Sequence, residues 1–241
     1  MLLRGLGREK NHWGDFPELL KKKLGVDKVE CIDLPGVNDN TESPLSISKI
    51  MTITRQKWLE TSKTQERWDV IAISLGGMVV LEWLKVFRND FHHAYIINTS
   101  SKLSPITQRL HPMAIYSFIK SAYNYNHYEK REKNILKLTT ELIDIDTIMP
   151  KWIEVAKESS VSKSLVVRQL IAASQFTPPK SLETPTFFFA SEKDRLASYK
   201  CSVELAKRYN SKIFITKIQL SQLIIFPNKK AKSYDLAFCL F

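Results

Sequence analysis

Disulfides, membrane spans and metal cages all find little material in this chain. Its three cysteines, Cys31, Cys201 and Cys239, are odd in number and far apart, which suits buried thiols in a reducing compartment rather than a disulfide framework. No apolar run approaches the roughly 20 residues of a transmembrane helix. The opening Met1-Leu2-Leu3-Arg4-Gly5 has no apolar stretch of signal-peptide length. A cytoplasmic protein without a membrane span is therefore expected. No glycine-rich phosphate loop and no set of residues at metal-ligand spacing occurs, so no cofactor is implied. Histidine is scarce too: His12, His92, His93, His111 and His127 are the five, and none follows position 127.

What is present is ordinary for a globular chain. With 241 residues, 44% hydrophobic and 25% charged, the size fits one domain, or one domain with an inserted cap. The net charge of +11 raises nucleic acid or anionic lipid as partners. Yet the basic residues are mostly lysines scattered along the chain, and Asn and Ile are plentiful beside them, as a biased composition would give. No nucleic-acid module is visible, so no nucleic-acid partner is expected. Nothing in the sequence signals an oligomeric state.

The most informative stretch runs from Trp68 to Val80. Val70, Ile71 and Ile73 suit a parallel strand covered on both faces, and the apolar run from Met78 to Leu84 continues as a helix. Between them stands Ala72-x-Ser74-x-Gly76. This small-x-Ser-x-small spacing belongs to a nucleophile elbow, where a serine sits on a strained strand-to-helix turn. A helix folding back so sharply would strike a large side chain two residues either side of the serine. Ala72 and Gly76 offer little to strike, and Gly77 relieves the next position. The amide of Leu75 would then open the helix, aimed at any oxygen bound beside Ser74. A plain Ser-Leu-Gly-Gly turn is the alternative reading of the same residues.

The rest of the chain supplies the context. Met1–Leu3 reads as a strand stub leading into a polar loop, and a helix runs from Phe16 to about Leu24. Val29–Ile32 reads as a strand closed by Asp33-Leu34-Pro35-Gly36. Ile47–Glu60 reads as a helix with Ile50, Ile53, Trp58 and Leu59 on its buried face. Ala94–Ser100 is a further strand. This alternation predicts a doubly wound, mostly parallel α/β sheet with helices on both faces, its ligands at the carboxyl ends of the strands. Residues 101–180 break the alternation. Helical segments near 115–125, 128–143, 151–158 and 164–173, with Pro105, Pro112 and Pro150 as breaks, predict a helical cap inserted into a core of residues 1–100 and 181–216. The cap aromatics Tyr116, Phe118, Tyr123, Tyr125 and Tyr128 either line an apolar pocket or pack the cap onto the core. Alternation resumes with the strand Thr186–Ala190, the loop Ser191–Leu196, the helix Lys200–Tyr209 and a strand near Lys212–Thr216.

Taken together, these segments resemble the α/β-hydrolase superfamily, in particular its compact capped bacterial serine hydrolases. The marks, in order, are Leu3-Arg4-Gly5-Leu6 with His12-Trp13, Asp33-Leu34-Pro35-Gly36, Ala72-Ile73-Ser74-Leu75-Gly76-Gly77, Ile97-Asn98-Thr99-Ser100 and Ala190-Ser191-Glu192-Lys193-Asp194-Arg195-Leu196. The resemblance implies an esterase-like enzyme acting on a small or acyl carboxylic ester. Ser74 would be the nucleophile, and Asp194 the acid that orients its base. The amides of Leu75 and Leu6 would form the oxyanion hole.

The family places its histidine after the last core strand, where this chain has none. His92 and His93 fall at the wrong end of the sheet, and His111 and His127 in the cap. His12 lies in a loop at the correct end, but at a position the family does not use for proton transfer. Residues 217–241 also depart from the family pattern. A frameshift or truncation that replaced the natural C-terminus would account for both departures; a natural tail in a divergent relative is the alternative. Poor ester turnover and several kcal/mol of lost stability, out of about 5–15, are the expected consequences. A non-catalytic descendant that binds a ligand or partner is the rival reading, and a basic protein bound to nucleic acid or acidic lipid a third.

Overall fold

Among the described residues, six parallel strands form one sheet, in the order β2-β1-β3-β4-β5-β6. The computed structural model describes residues 1–39, 41–62, 67–139, 145–159 and 161–217. The strands are β1 (Leu2–Leu3), β2 (Cys31–Ile32), β3 (Trp68–Ile73), β4 (Phe91–Ile97), β5 (Thr186–Ser191) and β6 (Ile213–Thr216). The middles of β3, β4 and β5 are apolar, as burial on both faces requires: Val70, Ala72, Ala94, Ile96, Phe188 and Ala190 are fully enclosed.

Helices cover both faces. One face packs on α2 (Ile47–Ser62), α3 (Leu75–Val86) and α9 (Lys200–Arg208), joining Leu3, Val70, Ala72, Ile96 and Phe188 to Trp58, Trp83 and Leu205. On the other, Leu2, Ile71, Tyr95, Ile97 and Phe189 meet Phe16 and Leu20 of α1 (Phe16–Leu24). Pro17 lies in the first turn of α1 and Gly25, at φ +62°, closes it. The chain is thus an α/β protein with a parallel sheet between helical layers, as the alternation predicted.

Between β4 and β5 come α4 (Ile106–Arg109), α5 (Pro112–Tyr123), α6 (Tyr128–Thr139), α7 (Ile145–Glu158) and α8 (Lys163–Gln175), with no strand among the described residues there. Pro112 takes the first position of α5, where a missing N–H costs nothing. Ser162 caps α8 by accepting from the Leu165 amide at 3.0 Å.

Several local expectations need correction. Pro150 does not break a helix but lies inside α7. Burial of Met149, Trp152 and Ala156 along the same helix overrides a local penalty of about 3 kcal/mol. In α2 the buried positions are Ile47, Ile50, Met51, Thr54, Trp58 and Ser62, one stripe at helical spacing; Ile53 and Leu59 fall off it and are exposed. Strand β2 covers only the last two residues of the segment 29–32. Strand β4 begins three residues earlier than expected, at Phe91, and ends before Asn98, whose φ of +49° turns the chain. Of the aromatics expected to line a pocket or pack on the core, Tyr116 and Tyr123 do neither among the described residues: they are 65% and 89% exposed. Residues 218–241, which include Cys239 and nearly all of the atypical tail, lie outside the described residues, as do 140–144.

Candidate active site

Parallel register decides which loops meet. Leu3 pairs with Ala72, Ile73 with Ile97, and Ile97 with Phe189. The segments that continue from β1, β3, β4 and β5 therefore leave the sheet at one rim. They carry Leu6, Ser74, Asn98 and Asp194.

Ser74 is the single residue between β3 and α3, at φ +53°, ψ −115°. Left-handed φ is costly for a non-glycine residue and persists only where the surroundings impose it. Here three hydrogen bonds impose it. The Ser74 amide donates to the Ile97 carbonyl at 2.8 Å, and the Ser74 carbonyl accepts from the Met78 amide at 3.2 Å and from the Thr99 hydroxyl at 3.0 Å. The tight bend also explains the glycines. A Cβ on Gly76 would lie 2.6 Å from the Arg4 carbonyl oxygen, and one on Gly77 2.0 Å from the Thr99 hydroxyl oxygen.

Gly5 approaches the serine from β1. A Cβ built on it would stand 3.1 Å from Ser74 Cβ and 3.6 Å from Ser74 Oγ. Leu6 comes directly after Gly5, and Leu75 opens α3 on the other side of Ser74. Neither the Leu6 nor the Leu75 amide donates to a protein group among the described residues. Two backbone N–H groups next to a strained serine are thus without a protein acceptor among the described residues.

Asp194 lies in the loop after β5, half-buried, its Oδ1 accepting from the amides of Leu196 at 2.7 Å and Ala197 at 3.3 Å. Burial pushes its carboxyl up to about 6 against those two bonds, and among the described residues no histidine or other cation is part of what holds it. The Asn98 side chain ties this loop to the elbow's neighbour strand, accepting from the Ser191 amide at 3.1 Å. Thr99 and Ser202 exchange two hydrogen bonds, at 3.2 and 3.0 Å, and so join the Ser74 turn to α9. The roles of Asn98 and Thr99 were not foreseen; the one sequence signal was the polar pair Asn98-Thr99 straight after an apolar strand.

Each histidine with a defined partner is committed elsewhere. His93 pairs with Asp69 at 3.1 Å near the amino end of the sheet. His12 is buried, with Arg8 Nη1 donating to its Nε2 at 2.9 Å and Glu9 Oε1 lying 3.3 Å from its Nδ1. Burial, with Arg8 and Arg4 nearby, holds it well below the usual imidazole range. With both nitrogens engaged, His12 is not free to take a proton from Ser74. His111, which the sequence places in the expected cap, is tied to the loop after β5: its amide donates to the Leu196 carbonyl at 3.0 Å. Its ring caps α5, however, Nδ1 accepting from the Met113 amide at 3.3 Å.

The loop between β1 and α1 is also held by α6 and α8, which lie between β4 and β5. The Gly7 amide donates to Gln169 Oε1 at 2.9 Å, and Arg8 Nη1 to Glu132 Oε2 at 2.8 Å. Arg4, 7% exposed, lies 5.0 Å from the centre of the Trp13 ring. Among the described residues no three histidine, cysteine or acidic side chains are grouped as metal ligands would be, and no helix is long and apolar enough to cross a membrane.

No protein-family model and no curated protein matches the sequence. Solved structures do match the fold. A lipase-esterase related protein from Clostridium acetobutylicum superposes with a TM-score of 0.67 at 15% identity, covering 99% of this chain and 92% of its own. A hydrolase from Oleispira antarctica gives 0.64 at 13%, over 93% and 84% of the two chains. RedJ, a thioesterase of the prodiginine biosynthetic pathway in Streptomyces coelicolor, gives 0.58 at 13%, over 89% and 75%. At these identities the likeness is one of fold alone: a parallel sheet flanked by helices, as in the α/β-hydrolase fold.

Proposed function

We propose that this chain is a serine hydrolase of the α/β-hydrolase fold, in which Ser74 attacks the carbonyl of a small or acyl carboxylic ester. The observation that carries the reading is the strained Ser74 backbone at the carboxyl rim of a central strand, with the unengaged amides of Leu6 and Leu75 beside it. Those amides would hold the oxygen that becomes negative as the tetrahedral intermediate forms, where charge stabilisation counts most. Asp194 would orient the base and balance its charge. No cofactor takes part. The structures alike in fold include a lipase-esterase related protein and a thioesterase, which supports a substrate whose leaving group is an oxygen or a sulfur. The odd number and wide spacing of the cysteines in the sequence favour a cytoplasmic setting.

The weak point of the machine is proton transfer. A serine hydroxyl needs a base, and loss of one triad member costs on the order of a million-fold in turnover, leaving about 10³–10⁴ over water. With His12 engaged on both nitrogens, slow turnover is expected. A catalytically silent chain that binds an ester-like ligand is the second reading, and an Asp194 held by amides rather than by a cation favours it.

A fluorophosphonate probe separates the two. Covalent labelling that maps to Ser74 and disappears in Ser74→Ala supports a working nucleophile. A wild-type chain that stays unlabelled over hours, yet binds a carboxamide analogue of an ester, supports the silent reading.

A further inference from the structure

The Leu6 amide sits in a loop that cannot orient itself. Leu6 is flanked by glycines, Gly7 takes φ +58°, and neither strand nor helix includes residues 4–9. Its geometry is imposed from two sides. On the sheet side, Gly5 lies against Ser74, and the Arg4 carbonyl against Gly76. On the other, the contacts come from three separate cap helices.

From α8, Gln169, fully buried, accepts from the Gly7 amide at 2.9 Å; the helix lies so close that a Cβ on Gly7 would stand 3.1 Å from Val166 Cγ2. From α6, Glu132 accepts from Arg8 at 2.8 Å, its side chain 2% exposed and its other oxygen 3.1 Å from Arg131 Nε. From α7, the Trp152 ring lies 4.7 Å from the Arg8 guanidinium. The Gly7 N–H shares a rigid peptide plane with the Leu6 carbonyl. Fixing that N–H, with Gly5 fixed against Ser74, pins the chain on both sides of Leu6. Buried bonds of this kind, that of Arg8 to Glu132 charge-assisted, do not relax cheaply when one partner is lost.

We infer that Glu132 and Gln169 are positioning residues: the cap, through them, holds the Leu6 amide where the oxyanion forms, so that the site is assembled only while the cap is seated. The inference rests on the reading of Ser74 as nucleophile and Leu6 as oxyanion donor. It makes the cap a regulator of reactivity as well as a cover.

The test uses the full chain and two readouts. Hydrogen exchange is monitored in peptides spanning residues 4–9 and 70–80. Affinity is measured for an alkylboronic acid, which adds to Ser74 and places an oxyanion in the hole, and for the matching carboxamide, which does not. Five proteins are compared: wild type, Gln169→Met, Gln169→Glu, Glu132→Gln and, as a control on an exposed position of the same α6 helix, Lys133→Gln. Gln169→Met removes the acceptor, and Gln169→Glu, which keeps an oxygen for Gly7, serves as the rescuing variant.

In Gln169→Met and Glu132→Gln, exchange in residues 4–9 is expected to rise about tenfold while 70–80 is unchanged. Boronate affinity should fall about tenfold, less than the 10²–10³ for outright loss of an oxyanion donor, with carboxamide affinity held and Lys133→Gln like wild type. Unchanged exchange in residues 4–9, or parallel loss of boronate and carboxamide binding, overturns the inference alone. A wild-type chain that takes up no boronate overturns the serine reading and this inference with it.

Discussion

The hydroxyl of Thr99 donates to the carbonyl of Ser74 at 3.0 Å, so a residue of the β4 rim holds the bend at the end of β3. The same hydroxyl occupies the space a side chain on Gly77 would need. The two loops are locked by a hydrogen bond on one side and an enforced absence of Cβ on the other.

Alanine at the two glycines after Leu75 should therefore destabilise, although alanine is the better helix former by about 1 kcal/mol. Gly77→Ala is expected to cost about 1–3 kcal/mol. Thr99→Ala should recover only part of it, since Ile96 Cγ2 also lies 2.9 Å from the added carbon. Gly76→Ala should cost more, because the atoms it meets are the backbone carbonyls of Arg4 and Leu3, which no rotamer change can move. Urea unfolding of the three variants and the double mutant measures this. A Gly76→Ala protein as stable as wild type would contradict the tight bend.

Arg4 offers the opposite kind of test. Its guanidinium is buried with Nε and Nη1 unpartnered among the described residues, and burial, aided by Arg8, brings it down to about 9. The Trp13 ring face is its compensation, a contact of about 2 kcal/mol when desolvated. Replacing a poorly paired buried charge by an apolar side chain of like volume is often neutral, or stabilising by about 1–4 kcal/mol. Arg4→Met should thus melt at or above the wild-type temperature. A fall of several degrees would show that the cation over Trp13 outweighs its desolvation.

Asp194 predicts a pH dependence with a definite sign. Burial raises its carboxyl from 3.8 to about 6, so between those values the folded chain binds more protons than the unfolded one. Its contribution to stability is complete below about 3.8 and is lost as pH rises through about 6. Asp194→Asn keeps the acceptor for Leu196 and Ala197 but cannot ionise. The variant should match wild type at acid pH and exceed it by about 1–2 kcal/mol at pH 8, the rise being discounted for partial exposure. Chemical unfolding at three pH values would detect it; a constant difference would show that Asp194 ionises freely when folded.

If proton transfer is what the site lacks, a base from solution should supply it. Imidazole is expected to accelerate fluorophosphonate labelling of Ser74, in step with its neutral fraction across pH, and to do nothing for Ser74→Ala. His111→Gln should leave the accelerated rate unchanged, because that ring is spent on capping α5. A labelling rate indifferent to imidazole would place the deficiency elsewhere.

The amino-acid sequence by itself determined the layered α/β architecture and the tight strand-to-helix bend at Ser74. Both are written in local terms: apolar strands of a length that needs cover on two faces, and small residues either side of one serine. It misplaced what depends on distant partners. Pro150 reads as a breaker because its local penalty is visible and the burial of Trp152 is not. The ends of β4 reflect pairing with β3 and β5. Only the tertiary structure decided that His12 is locked between Arg8 and Glu9, and that Asp194 is held by backbone amides rather than by a cation among the described residues. The same is true of the Leu6 loop, held by Gln169 and Glu132 from 162 and 124 residues beyond their partners. Those bonds join groups with no sequence relation, and their direction exists only once the sheet has brought its loops to one rim and the cap has closed over them.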